Sequence, residues 1–434
     1  MKVTTVFLVL YFCLSVLSLN AQIQPGGIDK KNEKYISRTG NALKLGSDQS
    51  VLVRFNRTLT AAEIQLLKPQ KSLSGDYFIV EKSNIATFSN NIIYQEQANG
   101  LWKVSDRLMK VLSKSNKRND SILVRLAVKN INALPRAIAS LKIKSTDNVN
   151  QICTVYLSSS DLMLLLELND ILYADILPVA KEEVVINGLD LALNQISNAR
   201  NLFPGIDGSG INVSFKEGMY DAADLDLLGK TITGATIGKM PTTHATDMAT
   251  LALGNGNSFI RGLGAAPKAK LAYSDFSNLM PDLITDLNKL QVSVQNHSYG
   301  TDIDNDYGIE AAAYDKQIFE TDTLIHIFSA GNKGTTTPSV GFYQGITARA
   351  NLTGNFKQAK NLLVIGGINR ENISENLSSK GPAYDGRVKP ELVALGEDGT
   401  SGAAAITSGS IALLEQFYRQ KYKKEHPHHW SGQQ

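Results

Sequence analysis

From Asn187 to about Phe417, helix-like and strand-like stretches alternate, and nothing else in the chain constrains its fold as strongly. Leu189–Phe203 reads as a helix, Gly205-Ile206-Asp207-Gly208-Ser209-Gly210 as a turn, and Ile211–Phe215 as a strand. Leu271–Tyr273, Val292–Gln295, Leu324–Phe328 and Leu362–Ile365 read as further short buried strands. Short buried strands separated by helices predict an α/β domain, a doubly wound and mostly parallel sheet with helices on both faces.

The preceding part of the chain has a different texture. Met1 to Gln22 has Lys2 as a positive start, an apolar stretch from Val6 to Leu17, and Leu19-Asn20-Ala21 before a cut. That is the layout of a secretory signal peptide, and its apolar run is short of the roughly 20 residues that a spanning helix needs. Gln22–Asp48 is polar and reads as a linker. Ser50-Val51-Leu52-Val53-Arg54-Phe55 then recurs as Ser121-Ile122-Leu123-Val124-Arg125-Leu126. Each copy is followed by a helix-like stretch, Thr60–Leu67 or Asn132–Leu141, and by a strand-like one, Tyr77–Val80 or Thr154–Leu157. This predicts a smaller α/β region built from two β-α-β units. The expected division is therefore a signal peptide over 1–21, a linker over 22–48, the repeat region over 49–188, the α/β domain over 189–418 and a tail over 419–434.

Composition removes several function classes. The formal net charge of +3 on 434 residues gives no electrostatic reason to expect a nucleic acid or an anionic membrane as partner. Cys13 lies in the signal segment and leaves Cys153 alone, which excludes an internal disulfide and the zinc patterns built on paired cysteines. No metal site and no cofactor is expected. Of six histidines, three sit in the tail at His426, His428 and His429, and His244, His297 and His326 remain as candidates for acid–base chemistry.

His244 stands at the start of a stretch whose Met248, Leu251 and Ala252 would face inward on a helix. Ser401 lies in Gly399-Thr400-Ser401-Gly402, a loop-to-helix junction ahead of Ile406 and an apolar helix to Leu414. A hydroxyl there is exposed beside unpaired backbone N–H groups, which can stabilise an oxyanion. Asn332 follows an apolar strand in Ala330-Gly331-Asn332-Lys333-Gly334, where an amide can aim into a cleft. In isolation each has an ordinary structural reading: a structural His, an N-cap Ser and a turn Asn.

Taken in order, the three resemble the subtilisin-like serine proteases. Leu377-Ser378-Ser379-Lys380-Gly381-Pro382 through Pro390-Glu391-Leu392-Val393-Ala394 resembles the segment before that family's nucleophile. Gly262-Leu263-Gly264-Ala265-Ala266-Pro267 resembles the approach to its third core strand, and Asn296-His297-Ser298-Tyr299-Gly300 its substrate-pairing strand. The resemblance covers about Leu189 to Phe417 and is nearest to exported members from bacteroidete-type bacteria. It implies a subtilisin-like fold, with His244 as general base, Ser401 as nucleophile, Asn332 as oxyanion donor, and Ser298, Tyr299 and Gly300 binding substrate. It further implies polypeptide substrates, a zymogen whose region 49–188 is its own propeptide, and a secreted, periplasmic or cell-surface location. The expected activity is that of a serine endopeptidase working through an acyl-enzyme. The alternative is a catalytically impaired module of the same fold that binds peptides or partners.

The chain departs from the family pattern at several places. Lys216-Glu217-Gly218 follows the strand where an Asp is expected, so Glu217 takes that position, with Asp221 and Asp226 as alternatives. Glu can serve such a triad, although its side chain is longer by one bond, about 1.5 Å. Asp247 stands for a second His, and Ala405 for a Pro. The loop between Ala394 and Gly399 is short, and the family's later C-terminal elements are not visible.

Overall fold

The computed structural model describes residues 28, 31–36, 50–73, 76–114, 121–133, 141–182, 191–236, 238, 240–339, 341–371, 373–374, 376–396 and 399–422. The signal segment, most of the expected second-repeat helix and the histidine tail lie outside them.

The chain forms two compact units. One takes residues up to Val104 together with Ser115–Ala174; the other takes Ser105–Lys114 and everything from Asp175 onward. The first unit carries two four-stranded sheets. β1 (Ser50–Phe55), β2 (Lys71–Ser72), β3 (Tyr77–Glu81) and β4 (Ile92–Gln97) lie in the order β2-β3-β1-β4. β5 (Ile122–Val128), β6 (Lys142–Asp147), β7 (Ile152–Leu157) and β8 (Ile171–Asp175) lie in the order β6-β7-β5-β8. The two sheets thus share one strand order, and β3 runs antiparallel to β1 and β2 as β7 does to β5 and β6.

The near-continuous apolar character of β1 has a plain cause. Val51, Val53 and Phe55 pack on one face and Leu52 on the other, so both faces are covered. Helix α1 (Ala61–Leu67) follows β1, and Thr60 and Glu63 close a reciprocal capping box at its start. Part of the stretch expected to be a linker is packed: Tyr35 is buried beside Leu52, Tyr77 and Trp102, and Asn99 donates to the carbonyls of Lys34 and Ile36. One aromatic side chain suffices to pin an otherwise polar stretch.

The second unit includes α2 (Asp106–Lys114), drawn from the middle of the expected repeat region. Ser105 caps it by accepting from the Leu108 N–H at 3.1 Å. Arg107 reaches Asp175 at 2.6 Å and Asp304 at 3.3 Å, with both carboxylates almost fully buried. In the first unit, α3 (Ser159–Leu166) connects β7 to β8.

The main sheet of the second unit has six strands: β10 (Asn212–Glu217), β11 (Lys270–Asp275), β12 (Val292–His297), β14 (Ile325–Ser329), β15 (Leu363–Ile368) and β16 (Leu392–Leu395). Their order is β11-β10-β12-β14-β15-β16, and every neighbouring pair is parallel. This is the doubly wound α/β sheet that the alternation predicts. The first expected helix is shorter than its sequence pattern: residues 191–195 form turns, Gln195 takes φ 62°, and α4 covers only Ile196–Leu202. α5 (Thr243–Leu253), α6 (Ile284–Lys289), α7 (Ile309–Glu320) and α8 (Thr400–Tyr422) follow, α8 running past the expected boundary at 418. A two-stranded pair, β9 (Lys181–Glu182) with β13 (Tyr299–Gly300), completes the unit.

Strand alternation gives the six-stranded sheet two unlike faces. Val213, Phe215, Val294, Ile327 and Ile365 point to α5 and α8 and pack with Ala245, Met248, Ala249, Ala252 and Ala403–Ala405. The other face carries Phe328 and Val364, packed against Tyr314 of α7 and Phe356. Ser214, Lys216, Gln295 and His326 are buried among them as polar groups.

Candidate functional site

In a parallel sheet, the helix that follows each strand begins at the strands' C-terminal edge, where α/β sites gather. Glu217 is the last residue of β10, His244 lies in the first turn of α5, and Ser401 is the second residue of α8. α5 and α8 pack closely through small residues. A Cβ on Gly409 of α8 would sit 2.6 Å from the Ala252 carbonyl oxygen of α5, so glycine is required there. Gly409 and Ala252 each lie eight residues past Ser401 and His244. Because the two helices run the same way from the same sheet edge, their first turns stand side by side.

The structure joins Glu217 to His244: the Glu217 carboxylate pairs with Nδ1 of the ring, and both side chains are buried. An acidic oxygen against Nδ1 fixes the proton there and leaves Nε2 as the acceptor of the neutral ring. The alternatives are engaged elsewhere. Asp221 accepts from the Ala223 N–H at 2.9 Å, and Asp226 accepts from the backbone and hydroxyl of Ser258. Lys216, adjacent on the strand, points to the opposite face, where it pairs with Asp282 at 2.6 Å.

Ser401 is held against the strand segment singled out for substrate. Its hydroxyl donates to the Ser298 carbonyl at 3.3 Å, and the Ser298 hydroxyl donates to the Ser401 carbonyl at 3.0 Å. Asn332 is brought to the same place through Thr400, whose N–H and hydroxyl both donate to its Oδ1 at 3.1 Å. Thr400 in turn accepts from the Gly331 N–H at 2.9 Å. With Oδ1 occupied, the Asn332 Nδ2 group is a buried donor without a hydrogen-bond acceptor among the described residues. Gly399 makes the arrangement possible. It takes φ 118°, and a Cβ on it would lie 2.8 Å from Asn332 Oδ1.

The main chain of Tyr299 and Gly300 is paired antiparallel with Glu182 and Lys181 of the chain's own β9. Sequence reasoning misses this pair, because two residues carry no periodicity. It also misses Thr400, the residue that positions Asn332, although the Gly-Thr-Ser junction contains it. His297 and His326, the other two acid–base candidates, are wholly buried inside the sheet. Burial pushes His297 well below its ordinary value, with the neighbouring His326 adding to the effect, and pushes His326 down to about 3.

Residues 230–430 match the model of the subtilase family. That stretch contains His244, Asn332 and Ser401 and begins after Glu217. Among solved structures, the epidermin leader peptide processing serine protease from Staphylococcus aureus matches with TM-score 0.50 and 14% identity, over 70% of this chain and 90% of its own. A mutant of that protease gives 0.51 and 15%, over 70% and 91%. Fervidolysin from Fervidobacterium pennivorans, a keratinolytic enzyme related to subtilisin, matches with 0.49 and 15% over 70% of this chain. The chain spans 56% of fervidolysin's length. The fold is the subtilisin-like α/β fold, as the resemblance in sequence implies.

Proposed function

We propose that the chain is a serine-type endopeptidase with Ser401 as nucleophile, His244 as general base, Glu217 as its orienting carboxylate and Asn332 as oxyanion donor. The observation that carries this reading is the ion pair from Glu217 to Nδ1 of His244, at the same sheet edge as the start of α8. In the reaction, the Ser401 oxygen attacks a peptide carbonyl while its proton passes to Nε2 of His244. Glu217 stabilises the imidazolium so formed. The carbonyl oxygen gains the negative charge and takes a hydrogen bond from Asn332 Nδ2. Collapse breaks the C–N bond, the amine leaves with the proton from His244, and water releases the acyl group by the same steps. No metal or cofactor takes part in this scheme.

Substrate main chain would add to Ser298–Gly300, whose backbone is where β9 now pairs. Occupation of that strand by Lys181–Glu182 supports the reading that the region before the α/β domain is a propeptide, removed by a cut beyond Glu182 and before about Leu189. The N-terminal segment supports export to the periplasm, cell surface or medium. Among the described residues, no helix is long and apolar enough to cross a membrane.

The test is labelling by a fluorophosphonate. The wild-type protein is expected to be labelled and Ser401→Ala is not, and N-terminal sequencing of the labelled form is expected to begin beyond Glu182 and by about Leu189. Equal labelling of both proteins overturns the nucleophile assignment. Absence of labelling in both supports the impaired, peptide-binding alternative.

A further inference from the structure

The face of the sheet opposite α5 and α8 holds a buried hydrogen-bonded chain that the proposed reaction does not use. Gln317 of α7 donates its Nε2 to the Asp282 carbonyl at 2.6 Å, so its Oε1 faces Nε2 of His326 at 2.9 Å. His326 therefore carries its proton on Nε2 and accepts at Nδ1. His297 donates from Nε2 to that nitrogen at 2.9 Å. Nδ1 of His297 is then left to accept from the Tyr299 hydroxyl at 3.2 Å. Each donor fixes the next, and the chain has one direction, from Tyr299 inward to Asp282. Both imidazoles must be neutral for it to exist.

The rings are also clamped by packing. His297 stacks on Phe328 with centroids 3.9 Å apart, and Tyr314 meets both imidazoles edge-on. Tyr299 has its ring wholly buried in this cluster and its main chain in β13, at the pairing edge. The orientation of the ring and the placement of the edge are one constraint.

We propose that His297 and His326 are positioning residues: acting through the Tyr299 hydroxyl, they lock Ser298–Gly300 in the geometry to which an extended peptide chain adds. This rests on the peptidase reading only for what the strand binds; the locking itself concerns β13 and its present partner β9. Two charged groups stand over the pair, Lys216 of β10 and Lys357 beside Phe356, with Asp282 beyond Gln317. Tyr299 and Tyr314 are also titratable, with Glu310 of α7 acting on both and Glu217 on Tyr299, and burial raises both phenols above their ordinary value. A proton added to Nδ1 of His326 would turn an acceptor into a donor facing the Nε2–H of His297, a proton on Nδ1 of His297 would reverse its bond with the Tyr299 hydroxyl, and either would add positive charge near the two lysines.

The experiment compares wild type with His297→Phe, which keeps the aromatic packing, and Tyr299→Phe, which removes only the hydroxyl. Amide hydrogen exchange of the full chain is read at residues 298–300 and 181–182, with β10 and β15 as internal references. Both variants are expected to speed exchange at β13 and β9 by about tenfold, the equivalent of one neutral hydrogen bond, and to leave the reference strands within twofold. In the processed enzyme, KM for a peptide is expected to rise about five- to tenfold in both variants, while the fluorophosphonate labelling rate of His297→Phe stays within twofold. Exchange at β13 no faster than in wild type, or exchange that quickens equally in the reference strands, overturns the proposal. Loss of labelling in the wild type defeats the peptidase reading instead and leaves the exchange result to decide this one.

Discussion

The two faces of the six-stranded sheet hold their parts in place by different means. Toward α5 and α8 the contact is apolar, mostly Val, Ile and Ala with Phe215 and Met248, and the helices approach until a single Cβ would clash. On the other face, Lys216, Gln295, His326 and His297 are buried among aromatic rings and joined through Gln317 and the partly exposed Asp282 into a connected polar set. The first face fixes where helices begin, and with them His244 and Ser401. The second fixes how a strand segment is oriented. Adjacent residues of β10 show the division: Glu217 serves the first face and Lys216 the second.

The most severe way to separate the faces acts on the first. Glu217→Gln keeps the shape and removes the charge, and it should lower kcat by about 10⁴, as for the corresponding change in a Ser-His-Asp triad, with KM little changed. Steady-state kinetics on the processed enzyme, with Asp221→Asn as comparison, decides it. Near-normal turnover in the first variant and loss in the second would move the role to Asp221.

On the second face the largest stability effect is expected from acid. His326 protonates at about 3 in the folded protein, against an ordinary value of 6.5, and His297 is also depressed. Between those limits the unfolded chain binds protons that the folded one refuses, so stability rises with pH across that window. It is fully present above about pH 6.5 and is lost as pH falls toward 3. Urea unfolding at pH 7, 5 and 4 should show a drop that is much smaller in His297→Phe/His326→Phe.

Lys216→Met comes next. It leaves Asp282 with hydrogen bonds from Ser274 at 2.5 Å and Gln295 at 2.7 Å but no cation. A loss of about 3 kcal/mol is expected, at the low end for broken buried pairs because Asp282 keeps a fifth of its side-chain surface exposed. The smallest effect is Gly409→Ala on the apolar face, about 1–2 kcal/mol of overpacking, with a measurable fall in labelling rate as α8 shifts from α5. A Gly409→Ala protein of unchanged stability would mean that the helices can part without strain.

Five of the six strands were legible because they are short apolar runs between helices, and burial on both sides leaves little freedom in that pattern; β16, within a stretch read only for its likeness to the segment before a nucleophile, was not. Val292–His297 is buried at every position, and its polar members Gln295, Asn296 and His297 weaken its apolar signal without moving it. Glu217 was legible from its place at a strand end. The roles of Thr400 and Gly399 were not, since they come from contacts with Asn332, nearly seventy residues away. The sequence left His297 and His326 open as acid–base candidates; their burial and which nitrogen bears the proton come from the fold, the latter through Gln317 on another element. The unit to which α2 belongs was equally hidden, because an amphipathic helix shows that it packs but not against what.

Arg107 carries a consequence for timing. If the cut proposed beyond Glu182 is made, Ser105–Lys114 and Asp175–Glu182 become part of a separate polypeptide. The ion pair of Arg107 with Asp304 then joins two molecules rather than two parts of one, with its Asp304 end buried and its Arg107 end nearly so. Cleavage and release become distinct events, and the second proceeds at the rate at which that pair opens. Activity should therefore lag behind chain cleavage, with Arg107→Ala shortening the lag and leaving the final rate unchanged.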